Sequence, residues 1–250
     1  DFPTEEVEDT GIIYYSRFYK LPEGQKLPVG DRLVAGDLGY LKYGVFWGDN
    51  NTFSITFATS DTDKTFWGIK DPDMFEDVTR LIPAAAEWLE LEAKPITSVH
   101  SMAGLLNRKR TLCGPNGIVV DSFHLVGDAL ICTNPLYGRG CSTGFWQAHL
   151  LAQSIQSNNN NSIAQGEQFA QNIEENILPW YSASVESDKG NRASSENDED
   201  ELSVMKKSIL KEGLIPATRT SAKVWRAFMK MMNLLAEPKI LSEPDVSLEI

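Results

Sequence analysis

One stretch limits the folds open to this 250-residue chain more than any other: "LVGDALICTNPLYGRGCSTGFWQAHLLAQSI", residues 125–155. An apolar run reaches Gly127 and Asp128, a glycine-containing loop follows, and a helical pattern begins at Ser142 or Thr143, either of which is a suitable helix cap. The pattern predicts a strand, a loop and a helix whose N-terminus lies beside the carboxylate.

This arrangement suits a ligand that carries a diol and a flat ring. Asp128 offers two acceptor oxygens to a ribose or ribityl chain. Gly138 and Gly140 remove side chains from the loop, so that backbone N–H groups can approach a planar ligand closely. The partial positive charge at a helix N-terminus stabilises negative charge on such a ring. A plain strand-turn-helix connection is the alternative that a lone GxG pattern leaves open.

The longer pattern "GDALICTNPLYGRGCSTGFWQA" resembles the second FAD-binding motif of flavoproteins of the p-hydroxybenzoate hydroxylase and geranylgeranyl reductase type. The resemblance extends over roughly residues 10–185. It implies the α/β class, as an α+β fragment: the C-terminal part of a GR2-type FAD-binding fold with an antiparallel substrate-domain sheet, followed by helices. The matching residues are Gly127, Asp128, Ala129, Pro135, Gly138, Gly140, Gly144 and Ala148.

The same resemblance implies that the cofactor is FAD. Asp128 would hydrogen-bond the ribityl chain, Pro135 would shape the loop, and backbone amides would line the isoalloxazine ring. No catalytic residue is assigned. The predicted cofactor-binding residues are Gly127, Asp128, Pro135, Gly138, Arg139, Gly140, Cys141 and Ser142.

Three aromatic and β-branched segments predict an antiparallel meander at 11–20, 38–47 and 52–60. The last, "TFSITFATS", alternates apolar and polar residues, as a half-buried strand requires. The turn residues "GDNN" before it indicate a hairpin. By the resemblance, these strands would form the floor of a substrate pocket, and ordinary core packing is the alternative for each aromatic residue there. The pocket candidates are Tyr15, Tyr43, Phe46 and Trp47.

Helices are predicted from an Asp-Pro start at 71–82 and from Pro83 to near Leu91, and shorter strands, including the basic "NRKR" segment at 107–110, follow. "NRKR" is predicted as a solvated strand edge or turn, with a contact to an anionic ligand as the alternative. Helical patterning returns at 143–157, 163–186 and 219–236. The polar stretch 157–162 predicts a loop, and 187–201 predicts a solvated loop or an acidic helix start.

Three domains are therefore expected. Residues 1–105 would form the substrate-binding antiparallel β-sheet domain with short helices. Residues 106–157 would form the second half of an FAD-binding domain. Residues 158–250 would form a C-terminal helical region with an acidic loop.

Composition excludes several classes of partner. The net charge of -12, from 35 acidic and 23 basic residues, argues against a nucleic-acid surface. No apolar run is long enough to span a bilayer, and the acidic first residues are unlike a secretory signal, so a cytoplasmic protein is expected. Cys113, Cys132 and Cys141 have no metal-binding spacing and are expected to be reduced thiols.

One expected element is absent, because the sequence has no GxGxxG, the motif that binds the ADP half of FAD in such proteins. The chain is thus predicted to be the C-terminal portion of a longer protein, whether a gene fragment, a truncated sequence or half of a split enzyme. Alone, it should bind FAD poorly.

The sequence predicts the flavin-proximal and substrate-binding portion of an FAD-dependent oxidoreductase, a monooxygenase or a reductase of an apolar organic substrate. Its partners would be that small-molecule substrate, the missing N-terminal FAD-binding half and an electron donor, for which NAD(P)H is a candidate. The alternative is a non-catalytic remnant or interaction subunit that has lost FAD binding.

Overall fold

A computed structural model describes residues 4–25, 34–195, 204–205 and 208–250. The chain divides into two compact units. We call Gly11–Leu105 the sheet unit. The residues up to Thr10, together with Leu106–Ile250, form the second unit, which we call the helical unit.

The sheet unit is built on one antiparallel sheet. Its strands lie in the order β3-β4-β5-β2-β6, and β7 also pairs with β2. The turn before β5 has Asn50 and Asn51 at positive φ, which asparagine tolerates, so the predicted hairpin is confirmed. The predicted second strand is shorter than expected. The strands are β2 (Ile12–Lys20), β3 (Val34–Asp37), β4 (Lys42–Trp47), β5 (Thr52–Ser60), β6 (Lys94–Pro95) and β7 (His100–Met102).

The apolar side chains of β5 lie on one fully covered face, and the opposite face is partly covered as well, because Ser54 and Ala58 are also buried. Phe53, Ile55 and Phe57 are 0–1% exposed and lie in the core of the sheet unit. Phe57 lies 4.9 Å from the Phe75 ring, and Phe53 lies 5.0 Å from the Trp88 ring, measured between centroids. Burial of such large aromatic side chains is the main source of stability in this unit.

Two helices supply those partner rings, and both begin where the sequence signals predict a helix start. The first, α1 (Pro72–Arg80), begins after Asp71, whose carboxylate accepts hydrogen bonds from two backbone N–H groups of the first turn. The second, α2 (Pro83–Leu89), has its proline at the first turn, where no backbone donor is needed, and ends slightly earlier than expected. A 3-10 helix at Lys64–Lys70 precedes them.

The helical unit begins with a three-stranded antiparallel sheet in the order β1-β8-β11. The "NRKR" segment lies in β8, the middle strand, so the expectation of a strand edge or turn was wrong. Acidic residues of β1 form ion pairs with its basic side chains. The strands of this unit are β1 (Thr4–Asp9), β8 (Leu106–Thr111), the short pair β9 (Cys113–Gly114) and β10 (Gly117–Ile118), and β11 (Ile131–Cys132).

Three helices follow: α3 (Gly140–Ser157), α4 (Ser162–Asn176) and α5 (Leu178–Ser195). The loop predicted at 157–162 is confirmed. The expectation for 187–201 was wrong in its first part, because α5 continues through Ser195. Residues 196–203 lie outside the described residues.

Basic residues in this part of α5 bond to β1. Lys189 donates to Glu8 at 2.8 Å, and Arg192 donates to the carbonyl of Asp9 at 2.8 Å. The polar residues of this stretch therefore attach the helix to β1.

A smaller apolar cluster forms at the C-terminal end around Leu214, Ala217 and Val224. The helices there are a π-helical turn (Ile209–Leu214), α6 (Ile215–Thr220), α7 (Ala222–Met232), a 3-10 helix (Pro238–Ser242) and α8 (Pro244–Ser247). Within the residues described, no helix combines the length and apolar character that a membrane crossing requires.

Candidate functional site

The predicted Gly-Asp pair lies in a 3-10 turn, Gly127–Ala129, and not at the end of a strand. Val126 is extended, but Gly127 has a φ of 64°, which turns the chain out of the extended conformation. Strand pairing resumes only at β11. The Asp128 side chain is exposed, and Arg110 holds the turn by donating to the Ala129 carbonyl at 2.8 Å.

The glycine-containing loop begins with a short 3-10 turn, Pro135–Tyr137. The side chain of Asn134 caps this turn by accepting a hydrogen bond from the backbone N–H of Leu136 at 3.0 Å. Gly138 closes it with a φ of 62°, a conformation that strains residues with a side chain. A Cβ atom at Gly138 would meet no other atom within 4 Å, so this part of the loop presents bare backbone with open space beside it.

Helix α3 brings the two halves of the predicted motif together. A Cβ atom placed on Gly140 would lie 3.8 Å from Oδ1 of Asp128, so the carboxylate lies beside the first turn of the helix. A Cβ atom on Gly144 would lie 3.4 Å from the Cα atom of Gly127, which shows how closely the helix packs on the turn. The structure thus places an acceptor pair and a helix N-terminus at one position.

The expected helix cap was wrong. The N-cap residue is Arg139, which makes no capping hydrogen bond with its side chain. Thr143 lies within the helix, and its hydroxyl donates back to the carbonyls of Arg139 and Gly140 at 3.1 Å. The helix begins at Gly140, before either of the predicted cap residues. Its first N–H groups therefore lack a side-chain cap among the described residues.

A buried glutamine fixes the turn from beneath. Gln147, on α3, is 0% exposed, and its Oε1 accepts a hydrogen bond from the backbone N–H of Gly127 at 2.7 Å. Its Nε2 has no hydrogen-bond partner within the described part of the chain. Sequence reasoning missed this residue, because one polar position within a helix carries no visible signal.

Arg139 lies against aromatic rings instead of extending into solvent. Its guanidinium carbon lies 5.0 Å from the centre of the Trp180 ring and 5.8 Å from that of Tyr137. Burial lowers the pKa of this guanidinium from its ordinary value. Cation-π contacts with two rings favour one fixed position for the side chain, so Arg139 ties the loop to α5.

Four polar side chains form a buried network under the same loop. Asp188, on α5, accepts hydrogen bonds from Nδ2 of Asn107 at 2.7 Å, Nδ2 of Asn134 at 2.9 Å and the hydroxyl of Tyr137 at 2.7 Å. Asp188, Asn107 and Asn134 are 0–3% exposed. No motif in the sequence indicated this network.

The other predicted loop residues lie on the surface. Pro135, Cys141 and Ser142 are exposed.

Burial raises the pKa of the Cys132 thiol, and the charge of Asp128 raises it further, while Arg108 acts in the opposite direction. All three cysteines are free thiols. The described residues contain no cluster of side chains that could hold a metal ion.

The four aromatic pocket candidates differ in accessibility. Tyr15 is 2% exposed and belongs to the core of the sheet unit, and Tyr43 packs against that core. Phe46 and Trp47, on β4, are 50% and 43% exposed. Core packing therefore accounts for Tyr15, whereas Phe46 and Trp47 present accessible rings.

Comparison with solved structures identifies the fold. A variant of Klebsiella pneumoniae HpxO complexed with FAD matches with a TM-score of 0.61 at 12% sequence identity, over 94% of this chain and 56% of that chain. HpxO complexed with FAD and uric acid matches with a TM-score of 0.62 at 12% identity, over 94% of this chain and 55% of that chain. No protein-family model and no curated protein matches.

The predicted fold class is confirmed: the chain has the mixed α/β fold, with antiparallel sheets and helices, that occurs in the FAD-complexed HpxO structures. It spans about half the length of the HpxO chains that it matches.

Proposed function

We propose that this chain supplies the flavin-ring side of an FAD-dependent oxidoreductase that acts on a small organic molecule. The observation that carries the proposal is the position of the Asp128 carboxylate beside Gly140, at the start of α3. The fold supports it, because the same architecture is found in structures complexed with FAD.

The residues present fit the cofactor. Bare backbone at Gly138, with no atom within 4 Å of the position that a Cβ would occupy, leaves room for a planar ring. The exposed Asp128 would accept hydrogen bonds from ribityl hydroxyls, and the N–H groups of Gly140, Cys141 and Ser142 would face the negative end of the ring. When bound, FAD would supply the hydride and electron transfer that these side chains cannot perform.

The phosphates of FAD require a different segment. A GxGxxG loop and its helix N-terminus usually bind the pyrophosphate, and this sequence contains no such motif. The proposal therefore assigns the ring and the ribityl chain to the residues described above. It assigns the ADP moiety to an N-terminal half that is not among these 250 residues.

To test whether this chain binds only the ring and the ribityl chain, it is titrated with riboflavin, FMN and FAD, and the flavin fluorescence is followed. If only the ring and the ribityl chain are held, the three dissociation constants should agree within about a factor of three, since a factor of ten would correspond to about 1.4 kcal/mol of phosphate or adenine contacts. Binding of FAD more than about a hundredfold tighter than riboflavin would show that residues of this chain hold the ADP moiety.

The role of Asp128 is tested with Asp128→Ala. It should weaken binding of all three flavins by about tenfold, the loss expected for hydrogen bonds to a charged acceptor. Glu175→Ala removes an exposed carboxylate of α4 and serves as the matched control, with affinities equal to those of the wild type. Unchanged affinities in Asp128→Ala would remove this residue from the site. Absence of flavin binding even in the complete gene product would favour a non-catalytic subunit.

The proposal includes two reactions, monooxygenation and reduction of an apolar substrate. The flavin site does not distinguish them, because both reactions use the same flavin and differ in how the reduced ring meets oxygen or substrate. Oxygen consumption that depends on substrate, with oxygen incorporated into the product, would identify a monooxygenase. Product formation that is equal with and without oxygen would identify a reductase. NAD(P)H is the donor to test first in both assays.

A further inference from the structure

We infer that Asp188 of α5 is a positioning residue for residues Asn134–Gly140, which we call the flavin loop. The hydrogen-bond donors around Asp188 require a carboxylate at this position. The inference rests on the proposed function and extends it to a helix that the FAD motif does not include. Asp188 would not touch the cofactor. It would act through Asn134 and Tyr137, to which it is directly bonded.

The orientation of both asparagine amides is fixed by backbone donors. Oδ1 of Asn107 accepts from the N–H of Asn134 at 2.8 Å, and Oδ1 of Asn134 accepts from the N–H of Leu136 at 3.0 Å. Neither amide can rotate by half a turn without losing that bond and placing NH2 against N–H. Each Nδ2 group must therefore donate, and both donate to the carboxylate of Asp188.

A neutral amide at this position would conflict with the network. Oδ1 of Asp188 accepts from Asn134 and from the hydroxyl of Tyr137, while Oδ2 accepts from Asn107. A side chain with one NH2 group would set a donor against a donor on one side or the other. Because the site is almost fully buried, no bulk water replaces the lost acceptor.

One face of α5 meets the loop at three positions spaced by four residues. The ring of Trp180 stacks on Arg139, the carbonyl oxygen of Ser184 lies 3.3 Å from the hydroxyl oxygen of Tyr137, and Asp188 accepts three hydrogen bonds, one of them from that hydroxyl. Residues four apart lie on the same face of a helix. The loop thus takes its conformation from α5 as well as from its own glycines.

The test compares variants of the complete gene product, purified with FAD. Asp188→Asn should raise the FAD dissociation constant by about tenfold and alter the visible circular dichroism of the fully bound flavin. Tyr137→Phe removes only one of the three donors and should give a smaller change in the same direction. Glu186→Gln neutralises an exposed carboxylate on the same helix and is the matched control.

A purely structural role for Asp188 would lower the melting temperature but leave the circular dichroism of the saturated flavin as in the wild type. The exchange of Asn134→Asp with Asp188→Asn restores a donor opposite an acceptor, so it should recover most of the spectrum. If Asp188→Asn does not fold, Tyr137→Phe and the exchange variant still decide the question. Wild-type spectra and affinities in Asp188→Asn and Tyr137→Phe, or an exchange variant no closer to the wild type than Asp188→Asn, would overturn the inference alone, whereas a flavin-free wild type would overturn the proposed function.

Discussion

The sheet unit and the flavin loop reach a fixed structure by opposite means. In the sheet unit, large apolar rings such as those of Phe57 and Trp88 are completely buried, and few polar groups lie among them. In the flavin loop, the buried contacts are mainly hydrogen bonds to Asn107 and Asp188. Apolar burial gives stability without strict direction, whereas a buried hydrogen-bond network specifies the orientation of each group.

The difference is consistent with the proposed role of the loop in holding a flavin ring. A sheet core tolerates small shifts of its side chains as long as volume is conserved. A loop that holds a ring must keep its backbone N–H groups in one geometry, so it needs directional contacts. We therefore expect substitutions in the sheet unit to lower mainly the stability. Substitutions in the hydrogen-bond network around Asp188 should lower both the stability and the affinity for flavin.

The largest effect is expected for Trp88→Ala in the sheet unit. Trp88 is 0% exposed and packs against Phe53, so truncation should lower the free energy of unfolding by about 3–5 kcal/mol. Trp67→Ala removes an indole that is 45% exposed and should lower the free energy of unfolding clearly less than Trp88→Ala does. Urea unfolding, combined with hydrogen exchange of peptides from Gly11–Leu105, measures both. A loss below about 1 kcal/mol in Trp88→Ala would contradict the account of this core.

A smaller effect is expected for Asn107→Ala in the helical unit. The variant leaves the N–H of Asn134 and one oxygen of Asp188 without their partner, which should cost about 2–3 kcal/mol. Unlike the sheet-unit variant, it should also weaken flavin binding. Asn233→Ala, at an exposed amide of the same unit, is the control. Normal flavin affinity in Asn107→Ala, despite lost stability, would remove the distinction between the two regions.

The smallest effect concerns alkaline pH and Tyr19, which is 1% exposed. Burial raises the pKa of Tyr19 to about 12, and the nearby Arg17 opposes this shift. Because the folded pKa lies above the unfolded value of about 10, the stabilising contribution is complete below pH 10 and is lost as the pH rises towards 12. At pH 11 the loss should be about 1 kcal/mol.

Tyr19→Phe should therefore lose less stability than the wild type between pH 8 and pH 11, by that same amount. Tyr40→Phe, at a tyrosine that is 63% exposed, should behave like the wild type. Identical pH profiles for Tyr19→Phe and the wild type would show that the phenol of Tyr19 is not sequestered from water in the folded protein.

The two regions also differ in how much the sequence predicts. The alternation in β5 and the Asp-Pro start of α1 are local patterns. Helix α1 begins as expected and the apolar face of β5 is buried as expected, but the prediction of a half-buried strand was wrong, because Ser54 and Ala58 on the other face are buried too. The cap at Ser142 or Thr143 was predicted wrongly, because helix starts depend on backbone geometry that a single polar residue does not determine. The Asp188 network joins residues separated by 27, 54 and 81 positions, and no periodic pattern connects such distances.

Helix α5 has a consequence for anyone who would graft this loop onto another protein. A transplant of residues 125–157 would carry the glycines of the turn, the loop and α3 but leave behind Trp180, Ser184 and Asp188. It would also leave behind Asn107, so in the new host the amide of Asn134 would need a foreign acceptor in place of Asp188, and the backbone N–H of Asn134 would need one in place of Asn107. The smallest transferable unit is therefore discontinuous: strand β8, the loop with α3, and α5 with its spacing from Trp180 to Asp188 intact. An insertion or deletion of a single residue between those two positions would rotate the helix by about 100° and separate the ring contact from the carboxylate.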